Sequence, residues 1–495
     1  MGKRVRGLLF ASSFVDEAKP NAMYRQIYEK IRDDILTGRV RPGSRLPSTR
    51  TLADEIGVSR STIKQAFESL VADELVESFT GAGTYVTAHP EPRVIPLTSL
   101  REPAAKLPSI SKTAWKTYLA VPQTDTIAPR MAFEPRVPAL DDFPHSIWYR
   151  LVLRALRTRS KDLLDRSETQ GMLSLREVLA EHLATAHGVS CHAEQIIIFS
   201  SAQQAVDVSA RIFVEPGSRI LVEDPGFLYA RLTFEAAGGV LEAMEFDENG
   251  FRIPREADES QARLAFVTSA AQYPTGFATS LERRRLLAEW ARDHNALIVE
   301  DARDADYWYE GPPPLSFHTV AGGERVIYIG TFSKIVYPAL HLAYAVVPKA
   351  LVNIFRAAKQ FADNDPPNFS QAVLRDFIAE GHLATYLRLT KRSFRYRQAQ
   401  FLSDIDDVMP DFVRFRRMQG GLHLLGELPS TIDDLKVAAA LNKQGIAARP
   451  LSELFLLRPR RHGLIFGYTS VPMRETRKLL KQAAQIIRDV CGRCT

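Results

Sequence analysis

The run GTFSKIVYPALHLAY, Gly330–Tyr344, decides how this chain of 495 residues is read. It continues an apolar run, Val326–Ile329, that reads as a buried strand. Lys334 stands just beyond that strand, between Ser333 and Ile335. Burying an ammonium is costly unless it is paired or its pKa is shifted. A strand-end lysine is most often a solvated surface residue, so the surroundings must decide whether this amine is held for chemistry.

Working outward, short apolar strands alternate with amphipathic helices from about residue 131 to the end: QIIIF from 195, RILVE from 219, ARLAFVTS from 262, ALIVED from 296 and RVIYIG from 325. The helix SLERRRLLAEWARDHN, from 280, lies between two of them. Such alternation predicts an α/β domain with a parallel or mixed sheet covered by helices on both faces. Ligands of such sheets bind at the carboxyl ends of the strands.

Ala296–Glu300 is one such strand, and Asp301 follows it, thirty-three residues before Lys334. A carboxylate and an amine at neighbouring strand ends suit pyridoxal phosphate. Lys334 would form the internal aldimine, and Asp301 would keep the pyridine nitrogen protonated. Ser201, Ala202 and Gln203 open a helix after QIIIF, where backbone amides cradle phosphate. Phe227, in EDPGFLYA, is placed to stack on a flat ring, although such a residue is as readily core. Tyr273, in AAQYPTG, ends a further strand, and Thr331 and Ser333 flank the lysine.

The amino-terminal region carries a different pattern. AMYRQIYEKIRDDILTG sets Tyr24, Ile27, Tyr28, Ile31 and Ile35 on one helical face. SRLPSTRTLADEIG gives a short helix capped by Ser48 and stopped at Gly57. VSRSTIKQAFESLVADEL starts a third helix at Ser59, with Ile63, Ala66, Phe67, Leu70 and Val71 as its stripe. Two helices around a tight glycine turn have helix-turn-helix spacing. LVESFTGAGTYVTA then reads as two strands around Thr80–Gly83, a wing.

These residues, 22 to 87, closely resemble the DNA-binding domain of GntR-type bacterial regulators. The resemblance implies that Arg50, Ser59, Arg60, Thr62 and the wing glycines Gly81 and Gly83 meet double-stranded DNA, with Lys64 a weaker candidate. Acidic and basic residues are about balanced there, so affinity would rest on a few placed arginines and on dimerisation.

In the larger region SSAQQA, EDPGF, QYPTG, IVED and TFSK, in this order, resemble fold-type I aminotransferases from about residue 140 onward. The two parts together resemble the MocR/GabR subfamily of transcriptional regulators. That implies a winged helix-turn-helix at 21–88, a proline-rich linker at 89–130, and at 131–495 a fold-type I domain with a mostly parallel sheet and a smaller carboxy-terminal α+β part. It also implies a head-to-tail homodimer and an amino-compound effector. Three positions depart from the subfamily's pattern. Arg303 stands where a tyrosine bonds the cofactor's phenolic oxygen. His341 stands where an arginine pairs with the phosphate, and histidine lacks the bidentate fork. The late strand GLIFGY lacks the arginine that holds a substrate carboxylate, leaving Arg449 as a substitute. Three readings stay open: a regulator sensing an amino compound or the cofactor, a working aminotransferase with a DNA-binding appendage, or a regulator whose large domain only dimerises.

Composition narrows the rest. A net charge of +6 permits a polyanionic partner without demanding one. Cysteines at 191, 491 and 494 cannot build a disulfide framework, and one CxxC without a second pair is a poor zinc site. No apolar run approaches the roughly 20 residues that span a bilayer. The basic, briefly apolar start lacks a convincing cleavage site, so a cytoplasmic protein is expected.

Overall fold

The computed structural model describes residues 22–79, 81–87, 117, 131–158, 160–254, 261–457 and 461–491. The chain divides into two compact units, one within residues 1–108 and one within 109–495. The expected proline-rich linker lies almost wholly outside the described residues.

The smaller unit holds α1 (Met23–Leu36), α2 (Thr49–Ile56), α3 (Arg60–Ala72) and the hairpin β1 (Val76–Phe79) with β2 (Gly83–Val86). Its core is Ile27 and Ile31 of α1, Leu52 of α2, Ile63, Phe67 and Leu70 of α3, and Val76 and Val86 of the hairpin. Val71, expected on the α3 stripe, is instead 41% exposed. It falls about 80° round the helix from Ile63, beyond the edge of the buried face. Both helix starts are capped as the sequence indicates: Ser48 Oγ accepts from Thr51 N at 3.1 Å, and Ser59 Oγ from Thr62 N at 3.2 Å. Gly57 closes α2 in the left-handed region at φ 78°, which glycine adopts without a Cβ penalty.

The larger unit is built on an eight-stranded sheet. Its strands are β3 (Ile196–Phe199), β4 (Arg219–Asp224), β5 (Val240–Asp247), β6 (Gly250–Phe251), β7 (Leu264–Thr268), β8 (Leu297–Asp301), β9 (Val326–Thr331) and β10 (Ala343–Val346). The order is β3-β10-β9-β8-β7-β4-β5-β6. β5, β4, β7, β8 and β9 run parallel, and β10 is antiparallel to both β9 and β3. Alternate residues divide between two cores: Val222, Phe266 and Val299 face one, Leu221, Ala265, Val267 and Ile298 the other. Both faces are therefore covered, which is why these strands read as unbroken apolar runs.

A second sheet, β11 (Arg414–Phe415), β12 (His423–Leu428), β14 (His462–Gly467) and β13 (Arg449–Pro450), is wholly antiparallel. It forms the smaller carboxy-terminal part with the helices Asp434–Lys443 and Met473–Cys491. The opening run, Gly330–Tyr344, thus ends β9, turns through Lys334 and a short 3-10 segment, Pro338–Leu340, and returns as β10. That return strand is not evident in the sequence, since the run contains a proline and a histidine before Ala343.

Candidate functional site

The parallel strands share one carboxyl edge, and every residue expected in the large-unit site except His341 and Arg449 lies on or just beyond a strand end there. β3 leads to Ser201, β4 to Phe227, β7 to Tyr273, β8 to Asp301 and Arg303, and β9 to Thr331 and Lys334.

Lys334 is buried, 8% exposed, and its Nζ donates to Asp304 Oδ1 at 2.7 Å. Burial, and after it the cation of Arg136, pull the Lys334 amine down to about 7 against the opposing pull of Asp304. At neutral pH a large share of this amine is unprotonated, as nucleophilic attack requires. Burial alone would raise the Asp304 carboxyl, but Lys334 and Arg136 outweigh it and hold it at about 2.

Asp301 is held differently. Arg303 donates to it three times: backbone N to Oδ1 at 3.1 Å, Nε to Oδ1 at 2.6 Å, and Nη2 to Oδ2. Burial pushes Asp301 up, but Arg303 and then Lys334 hold it below the ordinary carboxylate range. The same guanidinium lies over the Phe227 ring, 4.0 Å from its centroid. Arg136 covers Phe227 at 4.5 Å and Tyr273 at 4.8 Å, from a backbone at φ 65°. So a flat cation rests on the stacking ring and on the carboxylate together, where a pyridine ring is expected to do both.

The remaining expected residues are less engaged. The buried Tyr273 Oη faces the Arg449 side chain. Burial raises its pKa, while the Arg449 and Arg136 cations oppose this. Ser201 Oγ caps its helix, Ala202–Phe213, by accepting from Gln204 N at 3.1 Å. Gln203 turns its Nε2 to Thr233 Oγ1 at 2.6 Å and Tyr229 O at 3.3 Å, away from a phosphate-cradling role for its side chain. Thr331 Oγ1 accepts from Ser333 N at 3.2 Å. His341 is exposed in the left-handed region at φ 49°, and no hydrogen bond or ion pair ties it to the group around Lys334. Arg449 lies with its guanidinium 5.8 Å from the Tyr229 ring centroid.

The donor set fits pyridoxal phosphate in kind. A buried amine of depressed pKa, a buried phenol, a carboxylate at the adjacent strand end and helix amides at Ala202 and Gln203 are present together. The fit requires Arg303 to leave Asp301, and a face of the Phe227 ring to be cleared of the Arg303 or Arg136 guanidinium.

In the smaller unit Arg50, Ser59, Arg60 and Lys64 are exposed on α2 and α3, and Thr62 is half-buried. Ser59 and Thr62 hydroxyls bond each other at 2.7 Å, so Ser59 serves first as a cap. Arg60 Nε reaches Thr49 Oγ1 at 3.5 Å, and Lys64 pairs with Glu68 at 3.6 Å. Gly81 tips the wing. At Gly83, φ 110°, a Cβ would meet Arg45 Nε at 2.6 Å. Arg45 therefore packs on the wing and joins the basic set.

Two family models match the chain: bacterial regulatory proteins of the gntR family over residues 23–86, and aminotransferase class I and II over 150–461. The probable rhizopine catabolism regulatory protein MocR of Rhizobium meliloti is 34% identical over 456 residues, 92% of each chain. The chain belongs to the MocR-type GntR regulators. The pyridoxine biosynthesis transcriptional regulator PdxR of Corynebacterium glutamicum is 28% identical over 91% of this chain and 93% of its own. A multiple substrate aminotransferase from Thermococcus profundus superposes with a TM-score of 0.68 at 24% identity, over 80% of this chain and 99% of its own, which establishes the fold of the larger unit.

Within this MocR-type regulator, sequence reasoning missed Asp304, Arg136 and Arg45. Asp304 was within reach, since it directly follows Arg303 in a strand-end turn. Arg136 precedes the first strand of the large unit by sixty residues, and only the folded chain brings it to Phe227. Arg231 was also unmarked: it is 5% exposed, and its Nε and Nη1 have no partner among the described residues.

Proposed function

We propose that this transcriptional regulator binds operator DNA through α2, α3 and the wing, and reads pyridoxal phosphate, or an amino compound meeting it, at Lys334. The observation that carries the reading is the Lys334 amine, buried at the shared strand edge and depressed to about 7. Pyridoxal phosphate supplies an electrophilic carbonyl and an electron-accepting ring when bound. Lys334 would hold its amine towards that carbonyl, with the Asp304 carboxylate beside it balancing the ammonium form. Phe227 would stack on the ring, Tyr273 would donate to a ring oxygen, and the amides of Ala202 and Gln203 would hold the phosphate. Arg449 is the cation for an effector carboxylate.

Arg303 supports sensing over turnover. Asp301 must exchange a bidentate arginine for any ring nitrogen, which makes occupancy conditional. Catalysis needs groups held to about 0.5 Å, which a displaceable arginine does not provide. The absent carboxylate arginine on β14 points the same way. A ligand shifts the regulator only if it binds one arrangement of the chain better than another. A head-to-tail homodimer, as the resemblance implies, would give two heads for two half-sites.

The test is uptake of the cofactor. Purified protein dialysed against pyridoxal phosphate gains its visible absorption, and Lys334→Ala does not. Protein that takes up none, with Arg303→Ala also taking up none, overturns the reading.

A further inference from the structure

The helix Leu173–His187 ends against the turn that follows β8, where His187 meets Asp306. Residues 303–306 form this turn, and it faces three partners: Arg303 holds Asp301, Asp304 holds Lys334, and Asp306 holds His187. His187 Nε2 lies 3.1 Å from Asp306 Oδ1, and the His182 ring stands edge-on to His187 at 5.9 Å between centroids. One donor atom from each of His182, His187 and Asp306 lies within 4.8 Å of the others.

We propose that His182, His187 and Asp306 form a binding site for a divalent transition cation of the zinc class. Two imidazoles and one carboxylate are ligands such cations take, leaving a fourth position for water. With bonds of about 2.1 Å, tetrahedral donors sit roughly 3.4 Å apart. The His187–Asp306 separation already lies near that value, and rotation of the half-buried His182 ring closes the rest. His187 and Asp306 already meet as a bonded pair at 3.1 Å, so a cation would take the place of the proton between them. Lys391, on the long helix His382–Val408, faces this group with a cation that opposes a bound metal, and Glu300 acts on His187 with the opposite sign. A bound cation would pin the end of the helix Leu173–His187 to the turn that carries Arg303 and Asp304.

The experiment uses the full chain freed of metal with a chelator, then titrated with zinc and with cobalt(II) against a chromophoric competitor. One cation per chain is expected, with cobalt showing the visible bands of a nitrogen- and oxygen-bound, four-coordinate ion. His182→Ala should weaken binding by roughly 100-fold or more, since even outer-shell changes cost 10–100-fold. Lys391→Met should tighten it. The double change Cys491→Ser with Cys494→Ser should leave it unaltered. Absence of stoichiometric binding overturns the proposal, and so does wild-type affinity in His182→Ala, sulfur-to-cobalt charge transfer, or loss of binding in the cysteine variant. Should His182→Ala fail to fold, the cobalt spectrum and Lys391→Met decide alone.

Discussion

Arg303→Ala should move two observables in opposite directions. Arg303 is 7% exposed and donates through two side-chain nitrogens to Asp301, with its guanidinium on Phe227. Removing one partner of a buried ion pair costs about 3–5 kcal/mol. Lys334 and Arg136 also act on Asp301, which places the loss near the lower end, at about 3 kcal/mol. A ring that stacks on Phe227 and reaches Asp301 must first displace the same arginine. Hydrogen bonds to charged groups contribute about 1.5–3 kcal/mol, so displacement costs about 2 kcal/mol, or about 30-fold in affinity. Arg303→Ala removes that cost. The account therefore expects a denaturation free energy lower by about 3 kcal/mol and pyridoxal phosphate affinity higher by about 30-fold. Chemical denaturation and absorbance titration of the same preparation read the two. Unchanged or weaker affinity in a folded variant would refute the claim that Arg303 occupies the ring's place. Arg303→Lys, which keeps charge but loses the fork, should fall between.

Further outcomes follow from the same contacts. The rate at which Lys334 reacts with an aldehyde should rise with pH through a midpoint near 7, and Asp304→Asn should lower that midpoint, because Asp304 is the partner that raises it. Since the folded Lys334 pKa lies below the unfolded value of about 10.4, its contribution to stability rises with pH between about 7 and 10. Asp304, held at about 2, contributes stability that is full above about 4 and lost as pH falls towards 2; acid titration of unfolding in Asp304→Asn should lack that component. In the smaller unit, Ser59→Ala should cost about 1 kcal/mol through the lost cap, read by thermal unfolding. Arg60→Ala should keep stability and lower the salt dependence of DNA affinity by about one charge, read by titration at several salt concentrations.

The capped helices, the wing and the parallel strands were legible because each rests on local rules. Ser48, Ser59 and Ser280 cap their helices, and the runs at β3, β7, β8 and β9 are apolar because both faces are covered. β5 was not legible, since VLEAMEFD sets its acidic residues at 242, 245 and 247, out of step with the two-residue period of a strand. The candidate site was legible as an ordered set of strand ends. Its internal pairing was not. The sequence set Arg303 against a phenolic oxygen, whereas the fold turns it two residues back onto Asp301. No periodicity encodes that choice, because it follows from the turn at 303–306 and from the arrival of Arg136 from a distant segment. Lys334 takes its partner, Asp304, from the same turn for the same reason.

The central claim is that occupancy at Lys334 governs how the DNA-binding heads engage DNA. Footprinting of the full chain on its operator, with and without pyridoxal phosphate, beside Lys334→Ala, tests it most directly. The expected protection pattern changes with the cofactor in the wild-type chain and stays fixed in Lys334→Ala. An identical pattern with and without cofactor in the wild-type chain, under conditions where uptake is complete, would contradict it.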